Sequence, residues 1–288
     1  MFFRFRSSRS ASVLPEIREI RITSKRPSLA FALRELANYH DLLWILAYRE
    51  ISVRYKQTVV GILWVVLQPV IATVLFTVIF GHFAKLSSDH IPYGLFSFCG
   101  MTIWGLFSNG VSRAGASVIA DEKLITKVYF PRAVIPLSAI ASAGVDFLVA
   151  LGVLLVVACF YGYPPGLSLP AIIPATLIGL LASAGLGTAL AGWTVRYRDF
   201  RYVVPFFIQL MMYAAPIVYS SSIVPERYRL WFYLNPMTGA TDLFRYGITG
   251  RTPVNFQEIG LSAAVAIVLF LIGGIAFRQV EQSFADTI

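Results

Sequence analysis

Six stretches of this chain are apolar over the roughly 20 residues that a helix needs to cross the hydrocarbon of a bilayer. They run from Gly61 to Phe80, Leu95 to Ala116, Val134 to Phe160, Ala171 to Trp193, Tyr202 to Tyr219 and Ile259 to Phe277. Inside hydrocarbon every backbone N–H and C=O must find a partner within the protein, so such stretches read as helices rather than open strands. No alternating pattern of a transmembrane barrel is present. The composition agrees: 57% of the 288 residues are hydrophobic and 14% charged, against roughly 25% charged in soluble domains. So short a chain cannot bury that much apolar surface by itself, and a bilayer must cover the remainder. The expected fold is an all-α integral membrane protein with six transmembrane helices, an N-terminal amphipathic interfacial helix and re-entrant helices before the last span. Three regions follow: residues 1–40, a cytoplasmic segment rich in Ser and Arg; residues 41–57, the interfacial helix; and residues 58–288, the membrane domain.

The net charge of +9 would point a soluble protein toward nucleic acid, but here its distribution follows membrane topology, and no nucleic-acid partner is expected. Arg4, Arg6, Arg9, Arg18, Arg21, Lys25, Arg26, Arg34, Arg49, Arg54 and Lys56 precede the first apolar stretch, whereas the next loop offers only Lys85. Lys123, Lys127 and Arg132 follow the second stretch, and Arg196, Arg198 and Arg201 the fourth. By the positive-inside rule both termini face the cytoplasm. The opening MFFRFRSSRS lacks the apolar core and cleavage site of a signal peptide, so the first span is expected to act as its own targeting signal.

Asp41 is placed to cap a helix that reaches Lys56. Trp44, Tyr48, Ile51 and Tyr55 share one face of it, and Arg49, Glu50, Arg54 and Lys56 the opposite arc. That pattern predicts a helix lying on the inner membrane surface, with its aromatic stripe among the headgroups and its charges toward water or a protein partner. A plain interfacial anchor would show the same pattern. Between Ser220 and Glu258 the chain is too apolar for a solvated loop and too interrupted for a full span, which predicts two short re-entrant helices lining a protein-buried or watery cavity. Asp146, near the centre of the third stretch, is expected to face a partner or water, or to be protonated. Gly185, Gly187, Ala189 and Gly192 predict close helix packing in the fourth.

Catalytic chemistry finds little support. Cys99 and Cys159 have no CxxC spacing, and His40, His82 and His90 fall outside the apolar stretches, so no metal, disulfide or nucleophile constellation is expected. None of Lys25, Lys56, Lys85, Lys123 and Lys127 ends a GxxxxGK[ST] run. Any ATP hydrolysis therefore belongs to another chain.

Four blocks, RYKQTVVGILWVVLQP (54–69), DEKLITKVYFPRAVIPL (121–137), RYRDFRYVVPFFIQLMMYAAPIVY (196–219) and LNPMTGATDLFRYG (234–247), in this order and with six-span spacing, resemble the type-2 ABC exporter permeases for O-antigen, capsule and wall teichoic acid. The resemblance implies a homodimer in the bacterial inner membrane, working with two separate ABC ATPase subunits that bind ATP and Mg, and exporting a polyprenyl-linked glycan, most simply of O-antigen type. It implies no cofactor in this chain. It also assigns roles: ATPase coupling to Tyr48, Arg49, Arg54, Glu122, Lys123, Leu124 and Lys127; channel lining to Trp64, Gln68, Phe76, Phe80, Phe206, Gln209, Tyr213 and Tyr219; and an outer gate or sugar contact to Asn235, Asp242 and Arg245. Aromatic faces suit a sliding sugar chain because they stack without trapping it in hydrogen bonds. Two other readings stay open on the sequence: a type-2 permease for a drug or small lipid, and an ATP-independent channel or secondary transporter.

Overall fold

The computed structural model describes residues 38–56, 61–127, 130–197 and 199–281. The arginine-rich stretch 1–37, Arg198, and the Val128–Tyr129 part of the proposed inner loop lie outside the described residues.

All regular structure among the described residues is helical. Helix α1 is His40–Lys56, and α2 is Gly61–Phe76, which runs on as a π-helical stretch, Thr77–Phe83. Then come α3 (Tyr93–Ala120), the short α4 (Glu122–Lys127), α5 (Val134–Phe160), α6 (Ile172–Arg196, entered through one 3-10 turn at Leu169–Ala171) and α7 (Phe200–Tyr213). The chain ends with α8 (Glu226–Phe232), α9 (Pro236–Thr249) and α10 (Phe256–Glu281). Among the described residues, four helices are long and apolar enough to cross a membrane: Leu63–Phe83, Val134–Phe160, Leu169–Arg196 and Phe256–Glu281.

The second and fifth expected spans differ from these in instructive ways. The second lies in α3, whose 28 residues exceed the length needed, but whose Gly, Ser, Asn and Arg113 content lowers its mean hydropathy. Its buried residues, among them Leu95, Phe96, Ile103, Leu106, Phe107 and Val111, form the centre of the core. A helix surrounded by other helices needs small residues for close approach more than it needs hydrophobicity. The fifth becomes α7, only 14 residues long, and the chain turns at Ala214 rather than continuing in helix to Tyr219.

Helix α6 packs on both α3 and α10, and glycines set the spacing. A methyl group on Gly273 would stand 1.9 Å from the carbonyl oxygen of Gly185, one on Gly185 would meet the Leu269 carbonyl at 2.5 Å, and one on Gly187 would meet Ala114 at 2.8 Å. The small-residue stripe expected in the fourth span therefore does bring backbones together. Helix α2 is the opposite case. Only 6% of its most apolar window is buried, against 44% for Leu169–Arg196, so α2 stands at the edge of the bundle with most of its surface uncovered.

Candidate functional site

Helix α1 is held against α5 by its Leu43, Leu46 and Ala47 side. Leu46 packs into a cluster with Phe130, Val134 and Ile135, which Tyr39, Leu42, Leu43 and Leu124 flank. Eight residues further on, Arg54 reaches Asp146, itself a dozen residues beyond Val134. The rises of about 12 Å and 18 Å that these separations represent show that α1 runs alongside the first half of α5. This contact turns the charged arc: Glu50 and Arg54, expected to face water or a partner, point into their own chain, while Trp44 and Tyr48 stay exposed.

Asp146, midway along α5, gathers α1 and α3 onto it. Its Oδ2 accepts from Arg54 Nη1 at 2.8 Å and also from Arg113 Nη2 on α3; its Oδ1 accepts from the Tyr55 hydroxyl. Arg54 donates a second bond to Glu50 at 3.2 Å, and Arg113 a longer one, 3.4 Å, to the Ser142 hydroxyl. A lone carboxylate at the middle of an apolar helix would be costly, and here two guanidinium groups compensate it. Burial raises the Glu50 carboxyl above its ordinary range, against the pull of Ser142, Arg113 and Arg54. Burial first, and then the Asp146 carboxylate, push the Tyr55 hydroxyl up to about 12, so it stays a donor.

The network forms part of the wall of a cavity of about 650 Å³ between α2, α3, α5 and α7. Trp64 and Gln68 of α2, Asn109 and Trp104 of α3, Phe147 of α5 and Met212 of α7 line it, together with Arg54, Arg113 and Asp146. The structure thus brings Arg54, read as a coupling residue, to the same cavity as Trp64 and Gln68, read as channel lining. Arg113 was missed. The available signal was an arginine and an aspartate of opposite sign standing alone in successive apolar stretches.

The other expected site residues fall into three groups. At the end where α1 meets α4, Arg49 Nη2 bridges to Asp121 Oδ1 at 2.5 Å, tying α1 to the turn between α3 and α4. Tyr48, Glu122, Lys123 and Lys127 are exposed there, whereas Leu124 is half-buried in the cluster beneath α1. Arg132, just past this loop, donates to the Glu281 backbone carbonyl at 2.8 Å and so ties the loop to the end of α10. Along the edge, Phe206, Gln209 and Tyr213 of α7 are exposed. Phe76 and Phe80 of α2 are half-buried with ring centroids 5.8 Å apart, and the Tyr219 hydroxyl donates back to the Tyr213 carbonyl.

At the opposite end α8 and α9 are two short helices, and Asn235 and Pro236 explain where α9 starts. The Asn235 side chain accepts from the Met237 N–H at 3.1 Å, and Pro236 takes the first helical position, where no N–H is needed. Gly250, at φ 65°, closes α9 in the left-handed region. Arg245 is 1% exposed and Asp242 6%. Arg245 donates to the carbonyls of Ile217 at 2.8 Å and Phe96 at 3.2 Å, with its guanidinium 3.5 Å from the Phe96 ring centre. Its Nη1 stands 3.7 Å from Asp242, which accepts from the Tyr233 hydroxyl at 2.8 Å. Arg245 and Asp242 thus have their partners inside the core of the chain.

Among the described residues no group of His, Cys, Asp and Glu is arranged to hold a metal. The sequence pattern of the ABC-2 type transporter family matches residues 41–249. The chain is 30% identical over 251 residues to an O-antigen export system permease protein of Klebsiella pneumoniae, covering 85% of this chain and 94% of that one. It is also 30% identical over 259 residues to an O-antigen export system permease protein of Myxococcus xanthus, covering 89% and 98%. A capsule polysaccharide export inner-membrane protein of Neisseria meningitidis is similar at 20% identity over 248 residues, covering 84% and 91%.

Proposed function

The chain belongs to the ABC-2 type transporter family, and from that premise we propose that it is the membrane subunit of an exporter of polyprenyl-linked polysaccharide, of O-antigen type, across the bacterial inner membrane. It is a transport permease, not an enzyme. The observation that carries the substrate class is the near end-to-end similarity to O-antigen export permeases, over 94% and 98% of their lengths.

In this reading the chain crosses the bilayer six times, α3 and the α7 segment adding to the four helices of sufficient length and hydropathy, with both termini cytoplasmic. Helices α8 and α9 enter from the outer side and return. Two copies assemble through their exposed edges, where the uncovered surface of α2 and the aromatic face of α7 meet the partner or the glycan path. Trp64, Gln68, Phe76, Phe80, Phe206, Gln209, Tyr213 and Tyr219 line that path. Asn235, Asp242 and Arg245 belong to its outer gate, Asn235 by setting the start of α9 and the buried pair by holding the gate segment rigid. Two ATPase subunits, which bind ATP and Mg, press on the exposed residues Tyr48, Glu122, Lys123 and Lys127; Arg49, Arg54 and Leu124 pass that load into the fold. The driving force is the difference in the partner's affinity for two permease states.

Deletion of the coding sequence followed by analysis of lipid-linked glycans tests the substrate class. The expected result is a polyprenyl-linked polysaccharide accumulating on the cytoplasmic side and missing from the cell surface; an unchanged surface glycan rejects it. Replacing Lys123 and Leu124 by Asp is expected to leave ATP hydrolysis running while export in reconstituted vesicles stops, and export at the parental rate rules the coupling surface out.

A further inference from the structure

Four ionisable groups meet beside the cavity, two cations and two carboxylates: Arg54 and Glu50 from α1, Arg113 from α3 and Asp146 from α5. Their formal charges cancel, and the network spans three helices that the backbone joins only through distant loops. Removing one member alone leaves an uncompensated charge in a poorly solvated site, whereas removing one of each sign does not. The sharing is uneven. Both guanidinium groups converge on the single oxygen Oδ2 of Asp146, while Oδ1 is held by Tyr55. An acceptor shared by two cations is a natural place for two discrete arrangements, because withdrawing Arg54 leaves the Arg113–Asp146 pair intact and neutral.

We propose that Asp146 is the joint through which displacement of α1 reaches α3 and the cavity wall. In one state Asp146 is shared by Arg54, Tyr55 and Arg113; in the other, α1 carries Arg54 and Tyr55 away together with Glu50, and Asp146 pairs with Arg113 alone. The first state fixes α1 against the cavity, and the second frees Arg113 and its helix to shift. Asp146 is a positioning residue here: it acts through Arg54 and Arg113 and not through contact with glycan. The inference rests on the reading above that α1 receives motion from an ATPase partner.

The test uses the full chain assembled with its ATPase subunits in lipid nanodiscs, with Cys159→Ser to remove the exposed thiol and Asn109→Cys as the reporter. Cys99 is buried, and Asn109 is exposed and lines the cavity about one helical turn from Arg113. The rate of labelling by a water-soluble maleimide is measured with and without a non-hydrolysable ATP analogue. With the network intact, a nucleotide-dependent change of about threefold or more is expected; the charge-balanced Arg54→Gln/Asp146→Asn variant is expected to lose it, since the two states no longer differ. Glu50→Gln/Arg54→Gln, also balanced and sparing the Arg113–Asp146 pair, gives a second reading with the same expectation. A purely structural role would lower the stability of these variants and leave the nucleotide response of the folded fraction unchanged, and that response, kept in either folded variant, overturns the proposal. Labelling does not depend on any glycan, so its outcome is separate from that of the deletion experiment.

Discussion

The molecule contains two Arg–Asp groupings, one beside the cavity at the middle of α5 and one within α9, and they are built in opposite ways. Beside the cavity, Asp146 is bound by Arg54 and Arg113, residues 92 and 33 positions away along the chain. Within α9, Asp242 and Arg245 sit one turn apart on the same helix at 3.7 Å, and the arginine spends its hydrogen bonds on the carbonyls of Phe96 and Ile217. The first grouping lines a cavity, with the Arg54 and Arg113 side chains 30% and 20% exposed; the second is sealed, with Arg245 at 1%. A carboxylate shared by cations from several helices can trade partners. A guanidinium fastened to backbone carbonyls in a sealed site has nowhere else to go, and the Ile217 carbonyl, which lies outside any helix, loses its donor if it leaves. The same two residue types thus make a movable joint beside the cavity and a rigid fastening within α9.

That contrast can be broken or sharpened by substitution. Arg245→Leu should have the largest effect, about 3–5 kcal/mol, because it leaves the buried Asp242 without its cation and the Ile217 carbonyl without its donor; thermal unfolding in detergent and membrane yield would report it. Arg245→Lys should rescue little, since a single ammonium lacks the planar fork that reaches both carbonyls, and a parental midpoint in either variant would erase the distinction between the two groupings. Gly273→Ala tests the close packing of α10 on α6. A methyl 1.9 Å from the Gly185 oxygen must push α6 and α10 apart, at about 1–3 kcal/mol, read from the same unfolding midpoint. Tyr55→Phe removes one bond to a charged acceptor while both guanidinium groups remain, so about 1–2 kcal/mol is expected, and a loss as large as that of Arg245→Leu would mean the Asp146 network is no looser than the Arg245 one. Arg49→Ala should matter least. Its bridge to Asp121 is 47% exposed on the arginine side, which puts it below about 1 kcal/mol and makes it fade further in high salt.

Much of this architecture can be read without coordinates, and the reasons are local. Long apolar runs specify helices because hydrocarbon leaves the backbone no alternative, and Val134–Phe160 appears with the bounds expected of it. Asn235–Pro236 specifies a helix start because a cap and a missing donor act within three residues. The small residues of α6 announce a close crossing, though not that Gly273 would be the residue across from Gly185. Harder to see was the partner of Asp146. Its cost inside an apolar stretch predicts that a partner exists, but Arg54 had been placed on a water-facing arc, and Arg113 sits in a stretch whose hydropathy hides it. The docking face of α1 is hidden for a related reason: its aromatic stripe draws the eye, whereas Leu46 and Ala47, two plain apolar residues, are the ones buried where α1 lies on α5.

What the order of residues determines here is whatever acts over one or two helical turns: which segments are helical, where they begin and stop, and that a bilayer must cover them. What tertiary structure alone decides is which charges meet. Pairing between Arg54, Arg113 and Asp146 depends on the tilt and rotation of three separate helices, and those are set by the sum of many weak side-chain contacts, not by any spacing along the chain.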